Sequence, residues 1–197
     1  YDQVRLKMIE TKMRSLTELT VGIIGYGNIG RATADLFRKS RCKILVFDPL
    51  LKNSDLEVEL GTRQTDLSEL LRESDIVSIH TPISENTVNM INTAEISMMK
   101  PNSILINAAR GGIVNEIALA KAITHSQIGG AVVDVYSTEP PSSDNPLFML
   151  PKSQMHRLLL TPHIAGITYQ SWSDLFSKSW ENVKDFVFKN DANFIVN

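Results

Sequence analysis

The chain has 197 residues, 43% of them hydrophobic and 21% charged, with 20 basic against 22 acidic side chains. That length suits one large domain or one and a half small ones, and the near-neutral balance gives no electrostatic reason to expect nucleic acid or an anionic membrane as partner. There is no apolar run near the ~20 residues of a membrane helix, no secretory leader pattern and a single cysteine, Cys42, so the expectation is a cytoplasmic protein without disulfides or bound metal.

Along the chain, short β-rich apolar runs alternate with longer amphipathic stretches. That rhythm predicts βαβ units and a parallel sheet with helices on both faces. A helical pattern comes first (Val4, Leu6, Met8, Ile9, Met13), then a strand at Thr20–Ile24. The helix after it is expected to turn Ala32, Leu36 and Phe37 inward, with Arg38, Lys39 and Arg41 at its C-terminal end, where positive charge is favoured. Cys42 stands at the entry to the next strand, 44–47.

Asp66 or a residue near it reads as the N-cap of a short helix, followed by a strand at Ile76–Ile79. A helix from Thr93 ends at Lys100-Pro101, because a residue before proline avoids the helical region. Strands at 103–106 and 129–133 flank a helix at 115–125 with Ile117, Leu119, Ala120 and Ile123 as its apolar positions. The segment 137–151, with Pro140, Pro141, Pro146 and Pro151, reads as an extended surface loop. A strand at Leu158–Leu160 leads to Thr161-Pro162-His163, and a long helix at Tyr169–Lys189 carries Trp172, Leu175, Phe176, Trp180, Val183 and Val187 on one face.

Two features point to a dinucleotide. Gly25-Tyr26-Gly27-Asn28-Ile29-Gly30 follows a strand and opens a helix, so its glycines can serve the tight turn, the approach of backbone to pyrophosphate and the helix–strand contact, while the helix N-terminus faces the phosphates. Asp48 ends the next strand, where a carboxylate accepts from the adenosine ribose hydroxyls and repels a 2′-phosphate, so NAD is expected before NADP. Asp48-Pro49 also suits a plain turn.

Three polar residues follow strands on the edge where open α/β sheets hold ligands. Arg110, between Ala109 and Gly111-Gly112, suits bidentate binding of a carboxylate, as it would suit a surface ion pair. Imidazole as a side-chain type is the usual acid–base group near working pH, which makes His163 a candidate, and Glu139 could orient it or be a solvated loop carboxylate.

The motifs 21–30, 107–114, Asp134-Val135-Tyr136 with Glu139-Pro140, and 161–166, in that order, resemble the cofactor domain of the D-isomer-specific 2-hydroxyacid dehydrogenases over nearly the whole chain. The resemblance implies a Rossmann-type doubly wound fold and hydride transfer between nicotinamide and C2 of a small 2-hydroxy or 2-keto acid. Arg110 would bind the substrate carboxylate, His163 would exchange the proton on the C2 oxygen, and Glu139 would pair with His163. It further implies that Ile29 and Arg31 lie by the pyrophosphate, that Thr81, Pro82 and Ala108 line the cleft with Gly25, Gly27, Asn28, Gly30 and Gly166, and that Asp134 meets the nicotinamide carboxamide. Asp134 would equally cap a turn after its strand, and Arg31 would equally be a solvated charge on its helix.

The same resemblance divides the chain into a leading interdomain helix (1–18), the NAD domain (19–166) and a returning helix (167–197). It implies a homodimer, with the first helix, Trp172 and Trp180 as candidate contacts, although tryptophans tend to enter cores. It also implies a substrate lobe ahead of Tyr1, so these residues alone are expected to bind NAD and turn over little. Two departures stand out: Asn115 where the family has aspartate, and 152–157, which resembles an insertion. An NAD-gated corepressor module is the alternative of a different class; a formate dehydrogenase would carry glutamine in place of Glu139.

Overall fold

The computed structural model describes residues 1–10, 14–51 and 61–189, and the expected helical position Met13 lies outside them. After helix α1 (Asp2–Glu10) come β1 (Thr20–Ile24), α2 (Asn28–Lys39), β2 (Lys43–Phe47), β3 (Thr62–Gln64), α3 (Leu67–Glu73), β4 (Ile76–Ile79) and α4 (Thr93–Met98). β5 (Ile104–Asn107), α5 (Glu116–Thr124), β6 (Gly130–Val133), β7 (Leu158–Leu160) and α6 (Tyr169–Lys189) complete the order. No helix among the described residues is long and apolar enough to cross a membrane.

The strands form one seven-stranded sheet in the order β3-β2-β1-β4-β5-β6-β7, and every pair is parallel. A parallel strand covered on both faces must be apolar throughout, which is why β1 reads Thr-Val-Gly-Ile-Ile and buries all but its first residue. Chain order reverses between β1 and β4, so a crevice opens there at the carboxyl ends of the strands.

Each face of the sheet has its own core. Val21, Ile23, Ile44 and Val46 meet Ala34 and Phe37 of α2. On the opposite face Leu45, Val77, Ile79, Leu105, Ala131 and Val133 pack with Leu70 and Leu71 of α3, Ile96 of α4, and Leu119 and Ile123 of α5. Each such fully buried Leu or Ile stabilises the fold by roughly 1.5–3 kcal/mol. The helices start where the sequence supplies caps: Asp66 accepts from the Glu69 N–H at 2.8 Å and Asn115 from the Ala118 N–H at 2.9 Å, contacts typically worth ~1 kcal/mol each.

The structure corrects several expectations. In α2 the buried positions are Gly30 and Ala34, with Phe37 half-buried, whereas Leu36 is 66% exposed and Ala32 also faces out. Gly30 must touch the Gly25 carbonyl, and that contact sets the rotation of the helix. Ile117 is 58% exposed because Ala118, Leu119, Ala122 and Ile123 already form the inward face of α5. The segment 137–151 is more than a surface loop, since Asn145, Leu147 and Leu150 are buried and Tyr136 meets Phe148 ring to ring at 6.1 Å. Strand β3 was not expected. Both tryptophans, expected in a core, are largely exposed, Trp172 at 48% and Trp180 at 64%. The chain divides into two compact units, 1–162 and 163–197.

Candidate active site

The glycine loop leaves β1 through Gly25, whose φ of 88° is open to glycine and strained for other residues. Its N–H donates to the Phe47 carbonyl at 2.9 Å. A Cβ on Gly25 would stand 2.6 Å from the His80 carbonyl oxygen, and one on Gly30 2.1 Å from the Gly25 oxygen, whereas one on Gly27 would meet nothing within 4 Å. Two glycines therefore bring β1, β4 and α2 together. The third leaves open space at the start of α2, where free N–H groups and the helix dipole favour an anion.

Asp48 sits at the end of β2, and its carboxylate accepts from the Tyr26 N–H at 2.8 Å and the Leu50 N–H at 2.9 Å. It lines a cavity of about 300 Å3 with Gly25, Pro49, Thr81, Thr87 and Met90. Tyr26 is buried beneath the loop, with the Arg31 guanidinium 4.6 Å from its ring centroid and an Arg38 N–H donating to its hydroxyl at 3.3 Å. Arg31 thus lies over an aromatic ring, an attraction usually worth ~0.5–1 kcal/mol at exposed sites.

A second cavity, about 220 Å3, is lined by Ile29, His80, Thr81, Pro82, Ala108, Ala109 and Arg110. Five expected residues (Ile29, Thr81, Pro82, Ala108 and Arg110) thus share one cleft at the switch point, and Thr81 also faces the Asp48 cavity. The Arg110 loop is shaped by buried Asn107, whose amide donates to the Arg110 carbonyl at 3.1 Å and whose oxygen accepts from the Ala109 N–H at 3.2 Å. Arg110 itself is exposed and donates to the Ala109 carbonyl at 2.6 Å.

Asp134 is buried at the end of β6, where it accepts from the Thr161 hydroxyl at 2.5 Å. Neither cavity is lined by it. Glu139 follows on an exposed stretch, accepts from the Tyr136 N–H at 3.0 Å and precedes a cis bond to Pro140. His163 begins the second unit, with a φ of 55°. In that unit the Gly166 carbonyl accepts from the Ser171 hydroxyl at 2.7 Å.

Sequence reasoning missed His80, Ala109, Thr87 and Met90, all of which line the two cavities. For His80 the signal was its place at the end of β4, directly before Thr81-Pro82. Its Nε2 lies 2.9 Å from the Ser78 hydroxyl, and burial pushes the imidazole below its ordinary range. Between ~6.5 and the lower folded value the unfolded chain binds a proton that the folded chain does not, so stability present above ~6.5 is lost as pH falls below it. Thermal melts at pH 7.5 and 5.5 are expected to show a smaller acid-induced drop in Tm for His80→Gln, which keeps a polar partner for Ser78; an equal drop would assign the dependence elsewhere.

Known proteins resemble this chain in sequence and fold. The family model for the D-isomer specific 2-hydroxyacid dehydrogenase NAD binding domain matches residues 2–165. The (S)-sulfolactate dehydrogenase of Chromohalobacter salexigens is 40% identical over 155 residues, which make up 77% of this chain and 48% of that protein. The glyoxylate reductase of Korarchaeum cryptofilum is 37% identical over 167 residues, 85% of this chain and 48% of its own length. The crystal structure of Lactobacillus jensenii D-lactate dehydrogenase with NAD+ superposes with a TM-score of 0.81 at 31% identity, covering 93% of this chain and 57% of that one. The chain therefore spans about half the length of these relatives. With most of its length matched, the chain belongs to the D-isomer specific 2-hydroxyacid dehydrogenase family, as the family's NAD binding domain.

Proposed function

We propose that these residues form the cofactor half of an NAD-dependent dehydrogenase acting at C2 of a small D-2-hydroxy or 2-keto acid, of the glycerate, phosphoglycerate, glyoxylate or lactate type. The observation that carries the reading is the cleft at the switch point, where Arg110 stands beside Ile29, Thr81, Pro82 and Ala108. The residues present suit NAD: open space at Gly27 and the start of α2 for the pyrophosphate, and Asp48 at its own cavity for the ribose hydroxyls. Relatives named as sulfolactate dehydrogenase and glyoxylate reductase support the substrate class.

Bound NAD would supply the hydride acceptor or donor, and these residues would bind the acid and move its proton. Arg110 pairs with the substrate carboxylate and orients C2, its planar guanidinium matching two oxygens. In oxidation a neutral His163 takes the hydroxyl proton; in reduction its protonated form returns it to the carbonyl oxygen, with Glu139 stabilising that charge. Asp134 is assigned to the carboxamide and Gly166 to the cofactor cleft, both on the family pattern. The reading extends to a homodimer, supported by the exposed Trp172, Phe176 and Trp180 of α6, and to a reducing cytoplasm, supported by the free buried Cys42.

Calorimetric titration of these 197 residues with NADH and NADPH tests the cofactor assignment. NADH is expected to bind at least about tenfold more tightly, because a 2′-phosphate would face the Asp48 carboxylate. Asp48→Ser is expected to narrow that ratio mainly by weakening NADH. Equal affinities in the unaltered chain would overturn the assignment. Keto-acid reduction, assayed in the polypeptide that carries these residues in the cell, tests the chemistry.

A further inference from the structure

Glu116 opens α5, directly after the loop that carries Arg110. The usual task of a polar side chain there is to cap the helix, but Asn115 already does so through the Ala118 N–H at 2.9 Å. The half-buried Glu116 carboxylate instead reaches across to the segment after β6. Its Oε1 accepts from the Ser137 N–H at 2.7 Å and the Ser137 hydroxyl at 2.8 Å. Its Oε2 accepts from the Asn145 amide at 2.8 Å.

One carboxylate thus holds both ends of the stretch 137–145, which contains Glu139. Charge-assisted bonds of this kind are roughly twice as strong as neutral ones. The far end is fixed in turn, since Asn145 is buried and its oxygen accepts from the Leu147 N–H at 2.9 Å. The near end is fixed against the Arg110 loop, because Gly111 packs so close to the Tyr136 carbonyl that a Cβ there would lie 1.7 Å from its oxygen. The Tyr136 N–H, one residue before the clamp, donates to Glu139 at 3.0 Å.

We infer that Glu116 is a positioning residue for the proposed chemistry: its carboxylate locks the Glu139 segment to the Arg110 loop, so that the substrate-binding cation and the carboxylate of the acid–base pair keep a fixed separation. The inference rests on the roles given to Arg110 and Glu139 above. Glu116 touches neither substrate nor cofactor. Its effect passes through Ser137 and Asn145.

The test compares Glu116→Ala, Glu116→Gln, Glu139→Gln and the double variant Glu116→Ala/Glu139→Gln in the polypeptide that carries these residues, with NADH and glyoxylate or hydroxypyruvate. Glu116→Ala is expected to lower kcat by about tenfold or more, as small displacements of catalytic groups do, with the glyoxylate KM and NADH dissociation constant within about twofold of the unaltered values. Glu116→Gln, which keeps one oxygen for Ser137 but turns an amide towards Asn145, falls between. The double variant loses little beyond Glu139→Gln alone, because the clamp acts only through Glu139 placement. Thermal melts establish that each variant is folded, and Glu116→Gln carries the comparison if the alanine variant is not. Unchanged kcat in a folded Glu116 variant, or losses that add fully in the double variant, overturn the inference alone. An unaltered protein that binds NADH but reduces no keto acid overturns the functional reading with it.

Discussion

Replacing His163 with asparagine, in the polypeptide that carries these residues, is expected to lower kcat for keto-acid reduction by about 10²–10⁴-fold, the usual contribution of a positioned acid–base group. Asparagine is chosen for the backbone, because His163 has a φ of 55° and asparagine is among the few residues that enter the left-handed region readily. It carries no proton that titrates near neutral pH, so the turn is retained while the exchange at the C2 oxygen is lost. NADH fluorescence titration is expected to give a dissociation constant within about twofold of the unaltered protein, since the loss is confined to the transition state. If kcat stays within about threefold while the protein remains folded, His163 is not the acid–base group.

The second large effect separates two glycines of one loop. Gly30→Ala places a Cβ 2.1 Å from the Gly25 carbonyl oxygen, a backbone atom that cannot rotate away. The helix and strand must part, at a cost of about 1–3 kcal/mol or more, so Tm and NADH affinity are expected to fall together. Gly27→Ala meets nothing within 4 Å, so its melting curve is expected to stay close to that of the unaltered protein. Its methyl group nevertheless fills the space where a pyrophosphate would approach the helix start, and NADH affinity is expected to fall by about tenfold or more. A Gly27→Ala chain that binds NADH normally would remove the loop from the phosphate site.

Much of this was legible because the controlling interactions are local. The run Thr20–Ile24, the loop to Gly30 and Asp48 lie within one βαβ unit, so their spacing alone places a phosphate site and a ribose acceptor at one edge. The cap at Asp66 is equally local, a side chain bonded to an N–H three residues on. The rotation of α2 was not local. It depends on Gly30 meeting Gly25, which periodicity cannot weigh against the apolarity of Leu36. The segment 137–151 misled for the opposite reason: prolines and small polar residues mark a loop, yet Leu147 and Leu150 reach the core because Asn145 and Glu116 hold their turn in place.

By itself the sequence determined the fold class, the strand that opens on the glycine loop, the residue types able to bind a dinucleotide, and the family, since each is written in motifs a few residues long or in their order. Only the tertiary structure decided which of those residues share a cleft. Ile29, Thr81, Pro82, Ala108 and Arg110 come from α2, from the end of β4 and from the loop after β5, and the order of the parallel sheet gathers them at its switch point. His80 joins them for the same reason, and Glu116 finds Ser137 and Asn145 across more than twenty residues of chain. Side chains so far apart in sequence meet through sheet pairing and helix packing, which no local pattern encodes.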